Sequence, residues 1–318
     1  MRAFFTTISI ALALVPSARA AESEVFPAPV YVTLQAANAV EVLPAGATWE
    51  GLDGAHYNAI SPDGTRLLVS SKNTNNVYVV DTGTGKTLAT FDIGATPQGV
   101  AIGPRGQWGL AVSAGTDALA VIDLENLKIA KTIKVGKIPH NARFSGDGRL
   151  AYITLQGGQS VAVVNMQTLA KVKEIPVPGL HGPHNLDISA DGSVLWIRGV
   201  AGKVAAVNIE TGEQLALIEV GSGHAGIDVI PGGRYVFTGA IADDIVSVID
   251  SKSFELIKHI DVGPGSHGVR ASRDGRWVYV GMTSTDEVTV IDTQSLEVVR
   301  QIPTQGQLPF WISVVGNN

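Results

Sequence analysis

Gln98 to Gly136 reads QGVAIGPRGQWGLAVSAGTDALAVIDLENLKIAKTIKVG. Gly99-Val100-Ala101-Ile102 is a short apolar strand, Gly103-Pro104-Arg105-Gly106 a turn, and Trp108 to Ser113 a second strand. Ala118-Leu119-Ala120-Val121-Ile122 makes a third, closed by Asp123, and Ala130 to Val135 makes a fourth. Apolar runs and alternations this short carry the period of strands, not of helices. Four such strands in a unit of about 40 residues is the pattern of one propeller blade.

The unit recurs. The residue before its first strand is His56, Gln98, His140, His184, His224 and His267, at steps of 42, 42, 44, 40 and 43 residues, and a further 43 reaches Phe310. Repeats of this length decide the architecture before any local propensity does. After Phe310 the chain supplies one strand only, Trp311 to Val315, while the N-terminal part supplies three pieces without a blade: Val30–Leu34, Ala39–Leu43 and Thr48–Leu52. Three strands and one complete a seventh blade and leave no open sheet edge. Six blades with a separate N-terminal hairpin is the alternative. Seven is preferred because Tyr31-Val32-Thr33-Leu34 matches Tyr152-Ile153-Thr154-Leu155 in the second-strand slot. The expected fold is all-β: a seven-bladed β-propeller of four-stranded blades, closed by one C-terminal strand with N-terminal strands. Its turns have local causes. The glycines of Asp63-Gly64, Asp147-Gly148, Asp191-Gly192 and Asp274-Gly275 reach positive φ, and the aspartates bond the nearby backbone. Asp81, Asp123, Asp250 and Asp292, with Asn165 and Asn208, end third strands in the same way, so they are read as turn formers and not as general acids or bases.

Residues 1–20 read as a secretory signal peptide: Arg2 is basic, Ala3 to Val15 is largely apolar, and Ala18-Arg19-Ala20 fits a cleavage site. The apolar run falls short of the roughly 20 residues that span a bilayer. Residues 21–318 are then a single propeller domain, secreted and periplasmic, with no membrane span. Loss of Arg2 and Arg19 takes the formal charge from −6 to −8. For an acidic chain without a basic block, nucleic-acid binding by phosphate neutralisation is not the default expectation, a local patch aside. With no cysteine there is no disulfide framework, thiolate metal site or thiol catalysis. Three methionines, one the initiator, do not build a copper(I) site.

Val121-Ile122-Asp123, Thr132-Ile133-Lys134-Val135-Gly136, Pro139-His140, Ser61-Pro62-Asp63-Gly64 and Tyr31-Val32-Thr33 resemble the motifs of the YVTN-repeat β-propeller family, whose members are exported and YncE-like. The resemblance covers residues 30 to 315 and implies the fold. It leaves function open, because the family includes binding and scaffold proteins and the fold is shared with enzymes and haem carriers.

In a propeller the first strand of each blade is innermost, and the residue before it stands at one mouth of the central channel. His56, His140, His184, His224 and His267 are therefore expected to form an incomplete ring, with Gln98 and Phe310 in the gaps. Imidazole is the commonest metal ligand, and a set of histidines alone suits zinc or copper(II). Asp53, His181, Gln98 and Arg198 are candidate second-layer partners. Arg198 is also read as meeting an anion over the channel or, preferably, a carboxylate on a neighbouring loop. Duplicated blades inherit one residue at one position without any function, so purely structural histidines are the competing explanation. The leading expectation is transition-metal binding at the histidine ring, as carrier, sensor or redox site. The rival is a non-catalytic interaction module binding a protein, a glycan or single-stranded nucleic acid, and the third reading is a haem-handling protein or oxidoreductase. No HExxH, GxSxG, P-loop or dinucleotide fingerprint occurs, no catalytic residue is assigned, and enzyme activity is left open. A monomer with an unknown protein partner is expected.

Overall fold

Twenty-eight strands form seven antiparallel sheets of four in the computed structural model, which describes residues 24–317. The expected leader, residues 1–20, lies outside the described residues. Six sheets are built from consecutive strands, β4–β7 through β24–β27. The seventh joins the two ends of the chain in the order β28-β1-β2-β3, with β28 at Pro309–Val314, β1 at Val30–Leu34, β2 at Ala39–Leu43 and β3 at Ala47–Trp49. Val30 pairs with Val314, and Tyr31 with Ser313. The third N-terminal strand thus sits one residue earlier, and is shorter, than the sequence suggests.

The inner strands are β4 (Ala55–Ile60), β8 (Pro97–Ile102), β12 (Pro139–Phe144), β16 (Pro183–Ile188), β20 (Ile227–Val229), β24 (Ser266–Ala271) and β28. Each packs beside the next, and β28 returns to β4, which closes the ring. The first three strands of a blade are almost wholly buried, whereas outer strands such as β7 (Thr87–Asp92) and β11 (Lys128–Lys134) are largely exposed. Cores form between neighbouring sheets. Leu119, Val121, Ile153 and Val164 meet in one, and Phe237, Val248, Val278 and Val280 in another. Trp196 is fully buried in such a layer, and Trp108 and Trp277 pack at the edges of two others, as the repeat implied. The turn aspartates do the expected work. Asp63 accepts from Ser61 and Thr65, Asp191 from Ser189 and Ser193, and Asp123 from the backbone of Glu125 and Asn126. No helix among the described residues is long and apolar enough to cross a membrane.

Candidate functional site at the channel mouth

The histidines do not sit in regular strand. Pairing of five inner strands with their neighbours slips between Ala55 and Asn58, Pro97 and Val100, Pro139 and Ala142, Pro183 and Asn185, and Ser266 and Val269. The slip falls on His56, Gln98, His140, His184 and His267. A break in register re-aims a side chain that the pleat would otherwise direct into a sheet-to-sheet core. Here it gathers the rings at one end of the channel. His140 and His184 lie 3.7 Å apart between centroids, His184 and His224 4.8 Å, and His224 and His267 5.1 Å. Phe310 closes the circle, stacking on His267 at 3.8 Å and on His56 at 4.3 Å.

Four of the imidazoles are committed to one another and to the scaffold. His140 Nδ1 bonds the His184 carbonyl at 3.1 Å, and His267 Nδ1 bonds the Phe310 carbonyl at 3.0 Å. Both contacts require a protonated Nδ1. His184 Nδ1 accepts from Asn185 Nδ2 at 2.8 Å, and His56 bridges Gln35 at 2.7 Å and Gln98 at 3.2 Å. Burial holds these rings neutral. It takes His56 and His140 down to about 3 and pushes His184 and His267 well below the ordinary histidine range. Neighbouring histidines add to the effect at His56, His184 and His267, because a proton on one ring disfavours a proton on the next.

His224 differs. Its blade has the shortest inner strand, which begins only at Ile227, because Gly223-His224-Ala225-Gly226 stays in a loop. His224 is half-buried and has no hydrogen-bond partner among the described residues. Burial, then Arg198 and Lys72, lower its pKa. It lines an open cavity of about 280 Å³ with His56, His140, His184, Lys72 and Phe310.

Among the described residues, no group of three or more His, Cys, Asp or Glu side chains is arranged to hold one metal ion. The cause is geometric. Rings stacked at 3.7 Å and tilted by 32° direct their in-plane lone pairs along similar lines and not toward a common point. Of the candidate second-layer residues, Gln98 is in place against His56. Asp53 is exposed and bonds Asn73, and His181 is exposed with only its carbonyl engaged, by Val200 N. Neither reaches the rings. Arg198 is buried, and the carboxylate expected for it is replaced by backbone: Nη2 donates to the carbonyls of Gly221 at 2.6 Å and Gly223 at 2.8 Å. It therefore fixes the loop that carries His224. His259 lies on the outer strand β23 (Leu256–Asp261), as expected, and contacts Ser247.

Tyr57 was not singled out in the sequence, yet it fills the channel below the rings. It is edge-on to His56 and His140 and 4.5 Å from Trp311. The signal for it was present. The equivalent positions hold Gly99, Asn141, Asn185, Ala225 and Gly268, small or short residues that leave space for two large aromatics.

Two family models match the chain. One is described as a YNCE-like beta-propeller and matches residues 105–232; the other, described as the cytochrome D1 heme domain, matches residues 187–309. No curated protein matches the sequence. Among solved structures, the chain is similar to hydrazine synthase of Kuenenia stuttgartiensis at 21% identity and a TM-score of 0.74, covering 83% of this chain and 93% of that one. It is similar to a protein of unknown function from Desulfotomaculum acetoxidans at 15% identity and 0.77, covering 92% and 100%. It is also similar to the dihydro-heme d1 dehydrogenase NirN in complex with DHE, at 19% identity and 0.67, covering 91% and 75%. At these identities the likeness is one of fold. With its repeat motif, its closed ring of seven four-stranded blades and the matched stretch of residues 105–232, the chain is a seven-bladed propeller that resembles the YNCE-like β-propellers.

Proposed function

We propose that this chain is an exported, periplasmic propeller that binds a haem-type tetrapyrrole across its histidine mouth, with His224 as the axial ligand. The observation that carries the proposal is the contrast between His224 and the other four rings. Its nitrogens have no partner among the described residues, it lines the open cavity, and burial, with Arg198 and Lys72 nearby, disfavours its protonation. The match to the cytochrome D1 heme domain spans His224 and His267 and supports the same reading. A cavity of about 280 Å³ is below the roughly 300–1,000 Å³ that encloses a drug-sized molecule, so a macrocycle would lie over the rim with one face on the rings. Lys72, exposed at that rim, would meet a peripheral carboxylate, and Phe310 and the buried histidines would supply the apolar floor. The bound group would contribute its iron centre, whose properties the axial imidazole tunes.

A zinc or copper ion shared by several imidazoles is the weaker alternative, because no three His, Cys, Asp or Glu side chains among the described residues are arranged around one ion and His140 lies against the face of His184. The test is a visible-absorption titration of the purified chain with ferric haem. The wild type should show the shifted band of nitrogen-ligated iron, and His224→Ala should lose it and bind at least about tenfold more weakly. His181→Ala should behave as the wild type. No spectral change in the wild type, or an unchanged titration in His224→Ala, refutes the proposal. Elemental analysis of protein from its native compartment provides the check on the alternative: stoichiometric zinc or copper, lost in a His184→Ala/His224→Ala double variant, would establish the shared-ion site instead.

A further inference from the structure

The channel has a second end, which the histidines do not reach. Three residues beyond His140 and His267 on the inner strands stand Arg143 and Arg270, and three beyond Phe310 stands Ser313. These side chains line one cavity of about 70 Å³ together with Asn58, Ala59, Ala101 and Asn317. Tyr57 and Trp311 lie between it and the rings, with Trp311 6.1 Å from His267 on one side and 5.8 Å from Arg270 on the other. The two ends are separate compartments.

The polar groups of this cavity are left incomplete. Arg143 and Arg270 have side chains only 7% and 3% exposed. Each is steadied by a carboxylate that does not line the cavity: Asp187 Oδ1 lies 3.4 Å from Arg143 Nε, and Asp228 accepts from Arg270 Nη1. Asp228 and Asp187 are occupied elsewhere too. Asp228 takes Ala271 N and Asn317 Nδ2, and Asp187 takes Val229 N. Arg143 Nε, Arg270 Nε, Ser313 Oγ and Asn58 Oδ1 are all buried without a hydrogen-bond partner among the described residues. Buried polar atoms in folded proteins are nearly always paired, so four orphans on residues that line one cavity point to a ligand. Among the described residues the only charged groups on its wall are the two guanidinium ions.

We infer that this end of the channel binds inorganic hydrogen phosphate. A cavity needs roughly 10–15 Å³ of such space for one water, so about 70 Å³ takes a tetrahedral oxyanion. Two Nε–H donors and a hydroxyl suit its unprotonated oxygens, and guanidinium is the preferred partner of phosphate. Asn58 Oδ1 selects further. Its amide nitrogen donates to the Tyr31 carbonyl at 3.1 Å, which fixes the oxygen toward the remaining side as an acceptor. An acceptor there requires a ligand with an O–H. Hydrogen phosphate has one, and sulfate has none. A site that must hydrogen-bond a hydroxyl rejects the analogue lacking it.

The experiment is calorimetric titration of the full chain with sodium phosphate and with sodium sulfate at pH 7 and equal ionic strength. Phosphate should bind at least about tenfold more tightly than sulfate. Arg143→Gln and, independently, Ser313→Ala should each weaken phosphate at least about fivefold, with unchanged circular dichroism and unchanged haem titration. Ser313→Ala removes only one hydroxyl, so it keeps the test valid if Arg143→Gln fails to fold. Absence of phosphate binding, equal binding of sulfate, or full phosphate affinity in folded Ser313→Ala overturns the inference.

Discussion

Lowering the pH from 7.5 to 5.0 should destabilise the fold steeply, and His140→Gln should remove a defined part of that loss. In the unfolded chain an imidazole titrates near 6.5. In the fold, burial takes His140 and His56 to about 3 and pushes His184 and His267 well below 6.5. Between those limits the unfolded chain binds protons that the native chain refuses. Stability is therefore complete above about pH 7 and declines as the pH falls toward 3. Each ring costs about 1.4 kcal/mol per pH unit below 6.5, so roughly 2 kcal/mol at pH 5.0. The two rings taken to about 3, His56 and His140, together give about 4 kcal/mol, a large part of the roughly 5–15 kcal/mol by which an ordinary domain is stable. Unfolded Asp and Glu titrate near 4, so stopping at pH 5.0 keeps most carboxylate effects out of the comparison. Glutamine at 140 imitates Gln98 in the neighbouring blade, carries no titratable proton, and can donate to the His184 carbonyl as Nδ1 does. Urea midpoints at pH 7.5, 6.5, 5.5 and 5.0 provide the assay. The stability lost across the series should be about 2 kcal/mol smaller in His140→Gln than in the wild type. Parallel pH curves for the two proteins would show that the His140 pocket admits a proton freely, and the burial argument for the mouth would fail.

Other outcomes follow from the same geometry. Trp311→Ala empties the partition of the channel and should cost about 3–5 kcal/mol, read as a fall in the urea midpoint. Asp228→Asn leaves Arg270 buried without its counter-ion and should destabilise by roughly 3–5 kcal/mol, while the double change Arg270→Met/Asp228→Leu should recover much of that loss in the same assay. Deletion of residues 309–318 removes β28, leaves β1 as a raw edge and opens the ring, and size-exclusion chromatography should then show aggregates.

The ring was legible because its cause is covalent: spacing near 42 residues, strand-length apolar runs and Asp-Gly turns repeat in the chain itself. Even the sharing of the seventh blade followed from leftover strands at both ends. Convergence of the histidines was legible for the same reason, since one slot in each blade maps to one mouth. Their orientation was not. It depends on a register slip in five of the inner strands, and a slip is decided by pairing with the second strand, not by any residue type at the slot. The fate of Arg198 was hidden similarly. A carboxylate partner is the usual expectation for a buried guanidinium, but Gly221 and Gly223 leave their carbonyls free to receive it. Asp53 and His181 failed as partners because three residues along a loop places a side chain on the outer rim, where it is exposed.

Divergence among the seven copies explains how one repeated unit acquires two unlike ends. At the slot where the inner strand begins the copies keep an imidazole five times, which builds an uncharged, stacked mouth. At the next position they keep small or short residues except Tyr57 and Trp311, which pack together from the neighbouring inner strands β4 and β28 and separate the two ends. At the inner-strand position that pairs with the middle of the second strand they differ most: Ala59, Ala101, Arg143, Asp187, Asp228, Arg270 and Ser313. Identical residues there would place like charges around a narrow axis, which buried groups do not tolerate. Alternating arginine and aspartate across neighbouring blades satisfies that constraint, as Arg143 with Asp187 and Arg270 with Asp228. The small residues Ala59 and Ala101 then leave the space beside the guanidinium groups. The same logic predicts that filling this space with Ala101→Leu should abolish phosphate uptake while leaving haem binding intact, because Tyr57 and Trp311 isolate the mouth from the change. Loss of both together would mean that the channel is a single compartment.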